Sequence, residues 1–340
     1  MLGLLIICAF VIIAVFAYFI AMDPTPNADR QIVEIQAKKQ GYEQLFIEVN
    51  KQKNVQPTNF FKRLLSGRED KINYIPINRY YLKNDSVFVD KYIDEGVSET
   101  IGFSKKQLPE HYITKKKFLL GTDRFGRDIL SRLIVGTRIS LAVGLITVFI
   151  SLTIGIFLGA IAGYYRGRTD NVIMWLINVI WSIPTLLLVF GITIALGKGF
   201  WQIFIAVGLT MWVTVARLIR GQVIAITELE YITAAKALGL PNLRIIFRHI
   251  LPNVLGPVIV IAASNFATAI IIEAGLSFLG VGVQPPQPSW GLMIKENYNF
   301  IITHNPMLAL APGIAIMILV LAFNLLGNGL RDALDVRGSL

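Results

Sequence analysis

The chain has 340 residues, of which 54% are apolar and only 16% charged, with a formal net charge of +10. Soluble domains carry about 25% charged residues, so this composition, with a mean hydropathy of +0.60, excludes an ordinary cytosolic enzyme. The charge is also concentrated: the 97 residues from 22 to 118 hold 30 of the 54 charged side chains, which describes a membrane protein carrying one polar insertion.

A hydrocarbon core of about 30 Å needs about 20 apolar residues as helix, and six runs qualify: 2–22, 139–162, 172–196, 201–216, 253–273 and 306–327. The fourth is short and holds Gln202, Thr210 and Thr214. Pro184, Pro257 and Pro312 fall inside runs, which membranes tolerate when neighbours satisfy the freed carbonyls. No Lys or Arg precedes the first run, and its apolar stretch exceeds that of a signal peptide, so it is expected to be a retained span. The single Cys8 lies in that run and permits no internal disulfide or Cys-based metal site.

Residues 23–118 are expected to form a small separate insertion, with Phe60, Phe61, Tyr74, Tyr80, Tyr81 and Tyr92 as core candidates. Within it, 31–53 reads as a polar helix and Val87-Phe88-Val89 as a strand; a spacer or partner-contact role fits it best. Orientation follows from Lys/Arg in short loops. Arg166, Arg168, Arg217, Arg220, Lys236, Arg244, Arg248, Arg331 and Arg337 lie on one side, against Lys198 and Lys295 on the other. Both termini are then cytoplasmic and the insertion extracytoplasmic. Arg124, Arg127, Arg132 and Arg138 run against this count, but long insertions translocate largely regardless of charge. The basic balance suits anionic lipid. With no Lys/Arg stripe interleaved with aromatics, it points to no nucleic-acid partner; Lys115, Lys116 and Lys117 read as a solvated face.

On the cytoplasmic side, residues 217–252 contain a short helical pattern. Thr227 is a candidate N-cap, Glu228 and Glu230 suit the first turn, and Ala234, Ala235 and Ala237 leave a low surface. Gly239 can take the left-handed conformation that ends a helix, and Pro241 prevents continuation. Such a helix can lie in a partner's groove or rest on lipid, and periodicity does not choose between them.

The string Glu230-Tyr231-Ile232-Thr233-Ala234-Ala235-Lys236-Ala237-Leu238-Gly239-Leu240-Pro241 resembles the coupling motif, or EAA loop, of permease subunits in binding-protein-dependent ABC importers. It is similar above all to the C-type subunit of dipeptide/oligopeptide systems. Thr233 stands where the motif usually has Glu; Ala234, Ala235 and Gly239 match, and Glu230-Tyr231 fits the peptide-permease variant. Three further stretches resemble the same family: Gly121-Thr122-Asp123-Arg124-Phe125-Gly126-Arg127-Asp128 with Leu130-Ser131-Arg132; Glu273 to Gly282 with Pro285-Pro286 and Ser289-Trp290-Gly291; and Gly329 to Asp335. The likeness covers roughly 119–340.

The resemblance implies an all-α polytopic membrane protein with six transmembrane helices in the type I ABC importer permease fold. Taken with the apolar runs and the charge distribution, the parts are expected to be a first helix at 1–22, a polar extracytoplasmic insertion at 23–118 that lies outside the resemblance, and a five-span core at 119–340. It implies a multi-pass location in a bacterial cytoplasmic membrane and a role as the translocation pathway for di- or oligopeptides. Nickel and other small solutes use closely similar subunits. Expected partners are a homologous second permease, two ABC ATPase subunits and an extracytoplasmic substrate-binding protein. ATP and Mg belong to the ATPases, with no cofactor on this chain. Coupling is expected from Glu230, Tyr231, Thr233, Ala234, Ala235, Gly239 and Leu240.

Other chemistry is poorly supported by the residues. The nearest string to a phosphate cradle, Gly191 to Lys198, has the wrong glycine spacing and no Ser/Thr after its Lys. His111, His249 and His304 are scattered, and His249 reads as interfacial packing. The span interiors carry almost no charge, which disfavours an ion-driven secondary transporter. Glu273 either lines a pathway or pairs with an Arg such as Arg127 or Arg132. In the outer-face motif Asp123, Gly126, Arg127 and Asp128, the expected arrangement is Thr122 or Asp123 capping a helix while Arg127 and Asp128 pair locally; substrate contact is the alternative.

Overall fold

The computed structural model describes residues 1–51, 59–83, 85–197, 199–302 and 305–334. Lys198, His304, Asp335 and Arg337 therefore lie outside the described residues. The chain divides into two compact units.

One unit comprises residues 11–139 and 285–315. It takes in the C-terminal end of α1 (Leu2–Val15), then α2 (Ala17–Ile20), the strands β1 (Tyr42–Asn50), β2 (Ile72–Lys83), β3 (Ser86–Asp94), β4 (Val97–Ser104) and β5 (Ile113–Phe118), and the helix α3 (Phe60–Ser66). The strands form one antiparallel sheet in the order β4-β3-β2-β1-β5. The expected all-α architecture is therefore corrected: the insertion is built on β-structure. The expected polar helix over 31–53 is replaced by a 3-10 turn at Val33–Ile35 and by β1. The strand expected around Phe88 is part of β3.

The miss has a physical cause. β1 is a central strand with side chains packed on both faces. Phe46 joins Ile32, Ile35, Tyr92 and Phe118 on one face, and Ile47 joins Ile77, Val87, Val89 and Leu108 on the other. Successive strand residues point to opposite faces, so a strand buried on both sides loses its polar/apolar alternation. The edge strand β5 is guarded by lysines, a common protection against edge pairing. Lys115 and Lys117 pair with Glu43 on β1.

Lys116 points the other way, its ammonium 3.3 Å from the centre of the Tyr74 ring. Burial, reinforced by the nearby Arg30, pulls its pKa from 10.5 down to about 8. Between about pH 8 and 10 the unfolded chain therefore keeps a proton that the folded chain has lost, so this group makes stability rise with pH. Lys116→Met should raise the melting temperature at pH 7.5 and flatten its rise towards pH 10. A pH profile identical to the wild type would contradict this.

The second unit comprises residues 1–10, 140–284 and 316–340. Its helices are α4 (Ile129–Tyr165), which enters it at residue 140, α5 (Gly167–Trp181), α6 (Thr185–Leu196), α7 (Phe200–Thr227), α8 (Glu230–Ala237), α9 (Asn242–Ile245) and α10 (Leu251–Phe278). A π-helical turn at Ile246–Ile250 joins α9 to α10. After α11 (Trp290–Asn297), which belongs to the first unit, α12 (Met307–Leu334) is the last helix among the described residues and enters the second unit at residue 316.

Among the described residues, four helices are long and apolar enough to cross a membrane: α4, α7, the run Asn242–Phe278 and α12. The fourth expected span, 201–216, is the N-terminal part of a 28-residue helix, α7. The expected loop at 163–171 shrinks to the single residue Arg166, between α4 and α5.

The expected third span, 172–196, is not one helix. α5 and α6 meet at 91° around Pro184. A proline lacks the N–H for the helix ladder and disfavours helical backbone in the residue before it. Here Ser182, Ile183 and Pro184 become the corner, whereas Pro257 and Pro312 sit inside unbroken helices. α1 has 14 residues, shorter than the 2–22 run suggests, and a kink at Phe16 separates it from α2.

α4 and α7 approach closely because Gly155, Gly159 and Gly163, four residues apart, form a stripe on α4. A Cβ at these positions would meet Val215, Ala216 and Ile219, or Val223 and the Arg220 carbonyl. Small residues at this spacing let backbones pack directly, a membrane-helix device.

Candidate functional site

The segment between α7 and α10 is folded by local signals. α7 runs to Thr227, whose hydroxyl donates to the Ile224 carbonyl and accepts from Arg166 at 2.9 Å. Thr227 is therefore the end of one helix, and the expected N-cap is corrected: Leu229 precedes α8 without a side-chain cap. Arg166 also pairs with Glu228, and Arg220 holds Asp170 through two bonds of 2.5 and 2.6 Å.

The end of α8 follows expectation. Gly239 has φ +75°; its N–H donates to Lys236 O, and the Leu240 N–H donates to Ala235 O. These two bonds make a Schellman motif. An added Cβ at Gly239 meets nothing within 4 Å, so a substitution there strains only the backbone. Gly239→Val should cost about 1–2 kcal/mol, read as a lowered melting temperature, while Gly239→Asn should recover part of it because Asn tolerates this region. Equal losses for both would show that side-chain space, not backbone, decides.

α8 has two sides. Ile232 and Ala235 are buried against Val223, Ile226, Ile245, Ile246 and Ile250, and Leu240 packs beside them. Glu230, Thr233, Ala234 and Ala237 are exposed, flanked by Tyr231 and by Leu238 at 81% exposure. The Tyr231 hydroxyl accepts from Asn253 at 3.2 Å, tying α8 to α10. Of the seven residues expected to couple, Ala235 and Leu240 thus face their own chain, Gly239 ends the helix, and the others present a low surface. Leu238, absent from that set, is the most exposed apolar side chain of the segment. Its place one turn after Ala234 on a helix was the signal available.

The other motif residues lie in the first unit, in the loop that leads into α4. The Asp123 carboxylate is fully buried and accepts from the N–H groups of Phe125 and Arg127 at 2.9 and 3.0 Å. Its second oxygen takes the Arg127 Nε–H at 2.6 Å. Gly126 has φ +71°, and a Cβ there would collide with the Ile32 carbonyl. Thr122 accepts from Lys38 N–H and donates to Ile35 O.

The cap of α4 is Asp128, which accepts from the N–H and hydroxyl of Ser131. The expected cap at Thr122 or Asp123, and the expected Arg127–Asp128 pair, are both corrected. Arg127 instead donates to Asp123, to Asp29 at 3.0 Å and to Glu296 on α11 at 2.8 Å. Burial opposes its charge, but Asp123 and Glu296 outweigh that and raise its pKa. Arg132 lies beside the same carboxylates at 3.5–3.9 Å and is fully buried. Trp290 closes the group by donating its indole N–H to Leu133 O at 3.0 Å. Asp29 and Glu296 escaped sequence reasoning because they lie far along the chain from Arg127. The fifth residue expected at the outer face, Glu273, belongs to the second unit, buried on α10 and accepting from the Ser277 hydroxyl at 2.6 Å.

In that second unit, α7, α10 and α12 also enclose a cleft of about 620 Å³ with Gln222, Ser264 and Arg331 among its polar lining. Among the described residues, no three His, Cys, Asp or Glu side chains are grouped to hold a metal ion.

Long apolar helices joined by a structured polar segment define a polytopic membrane protein. The chain belongs to the family of binding-protein-dependent transport system inner membrane components, whose profile matches residues 155–338. It is 40% identical over 277 residues to the dipeptide transport system permease protein DppC of Alkalihalophilus pseudofirmus, covering 81% of this chain and 88% of that one. It is 43% identical over 216 residues to the glutathione transport system permease protein GsiD of Pectobacterium atrosepticum, covering 64% and 71%. A solved inward-facing structure of the MetNI methionine ABC transporter aligns with 60% of this chain and 95% of that chain, at 20% identity and a TM-score of 0.49.

Proposed function

We propose that this chain is one of two permease subunits of an ABC importer for short peptides. The observation that carries the substrate class is its 40% identity, across most of both chains, to a dipeptide permease; the similar glutathione permease also names a peptide. In this reading the chain has the type I permease fold with six spans, the first formed by α1 and α2 and the third by the bent α5–α6 pair. The Lys/Arg distribution favours cytoplasmic termini and an extracytoplasmic insertion.

A homologous permease would complete the pathway, and a substrate-binding protein would deliver peptide to the outer face. Two separate ATPase subunits would bind ATP and Mg and dock on the exposed side of α8. Their closure on ATP would move α8, and with it α7 and the run from α9 to α10, because Ile232 and Ala235 are locked into the cluster those helices share. Such a switch requires two discrete packings whose balance nucleotide shifts.

The test is uptake by proteoliposomes containing both permeases, both ATPases and the binding protein. ATP-dependent accumulation of labelled di- or oligopeptide is expected. Nickel uptake without peptide uptake would overturn the substrate class. Uptake driven by an ion gradient without ATP would overturn the whole reading.

A further inference from the structure

Helix α3 leaves an apolar surface uncovered in the polar insertion. Phe60, Phe61 and Leu65 are 57%, 71% and 66% exposed, and Leu64 is half-buried. At 100° per residue these four span about 140° of the helix surface, while Lys62, Arg63 and Ser66 take the other side. Residues 59–68 hold three basic side chains, Lys62, Arg63 and Arg68, and no acidic one.

What should cover this surface follows from where α3 is fastened. The Phe60 ring packs on Phe19 with centroids 5.5 Å apart, and the Arg63 guanidinium lies 4.4 Å from the centre of the Phe19 ring. Arg138 donates to the Leu65 carbonyl at 3.0 Å, its guanidinium 5.1 Å from the centre of the Tyr18 ring. Phe19 and Tyr18 lie near the end of the first apolar run, 2–22. Arg138 immediately precedes the second, 139–162, in α4. Two separate membrane-directed helices thus hold α3 where each passes from apolar to polar sequence. With both runs crossing the membrane, as the proposed function has them, that level is the edge of the bilayer.

We infer that α3 is an interfacial membrane anchor: Phe60, Phe61 and Leu65 enter the acyl region while Lys62 and Arg68 meet lipid phosphates. An aromatic and aliphatic face with a basic opposite face is the composition that binds in the plane of an anionic interface. The anchor fixes the insertion against the membrane at the foot of α2 and α4. Either orientation of the chain leaves α3 at the same end of those helices, so the anchor does not depend on which compartment the insertion faces.

The experiment places single cysteines in a Cys8→Ala background, as Phe61→Cys, Leu65→Cys and, on the exposed edge strand β4, Val97→Cys. Each is labelled with an environment-sensitive NBD fluorophore in the assembled transporter, reconstituted in phosphatidylcholine/phosphatidylglycerol vesicles. Retention of ATP-dependent uptake identifies folded variants. Labels at 61 and 65 should be blue-shifted, shielded from iodide, and quenched more by lipid carrying a doxyl group at carbon 5 than at carbon 12. The label at 97 should emit as in water. Water-like emission at 61 and 65 would overturn the anchor. Blue-shifted emission without doxyl quenching would also overturn it, by showing a protein surface over α3 instead of lipid.

Discussion

Arg127→Leu should lower the melting temperature of the detergent-solubilised protein by roughly 5 °C, from a loss of about 3–5 kcal/mol when one partner of a buried ion pair is removed. The wild-type group is almost sealed from water: Arg127 is 2% exposed, Arg132 and Asp123 are buried completely and Glu296 nearly so. Without Arg127, Asp123 keeps only Arg132, whose guanidinium makes no hydrogen bond to it, and Glu296 keeps Arg132 and the half-exposed Arg124 at 3.7 Å. Two buried carboxylates would then rest on cations that are poorly placed or half in water. Asp29→Asn should cost far less, since Asp29 is a quarter exposed and water can replace its lost charge. An unchanged melting temperature in Arg127→Leu, combined with a raised half-saturation for substrate, would reverse the assignment from structural clamp to substrate contact.

The same cluster shows what a sequence conveys and what it withholds. The motif from Gly121 to Asp128 could be singled out because its residues are contiguous. Its bonding could not, because Arg127 reaches Asp29 and Glu296, which lie 98 and 169 positions away. Part of the local chemistry was legible: Gly239 ends α8 with positive φ, and Pro257 and Pro312 stay inside helices. Pro184 looked the same in sequence, yet it marks a 91° corner. The difference is tertiary, since a proline breaks a helix only where neighbours do not re-satisfy the freed backbone. Thr227 and β1 were misread for a related reason. Thr227 has the chemistry of a cap but is still the last residue of α7, and β1 mixes polar with apolar residues yet packs side chains on both faces.

Ala234→Trp should leave the melting temperature close to the wild type while lowering ATP-driven uptake about tenfold or more, the effect of losing 1.4 kcal/mol or more of docking energy. Ala235→Trp, one position on, should behave in the opposite order. Ala235 is 6% exposed and packed with Ile232, Ile246 and Ile250, so an indole there overfills a closed cluster. Overpacking of this kind costs about 1–3 kcal/mol or more, and the melting temperature should fall whether or not the ATPases are present. Ala234 lies on the exposed side with Thr233 and Ala237, where a Trp projects away from the chain and obstructs only a partner. Co-purification of the ATPase subunits separates the two effects. Ala234→Trp should lose them with its own fold intact, and Leu238→Glu should do the same by placing a charge where an apolar side chain now stands open. If Ala234→Trp and Leu238→Glu both retained the ATPases and normal uptake, α8 would be resting on lipid and the ATP-driven motion would have to enter the membrane helices elsewhere.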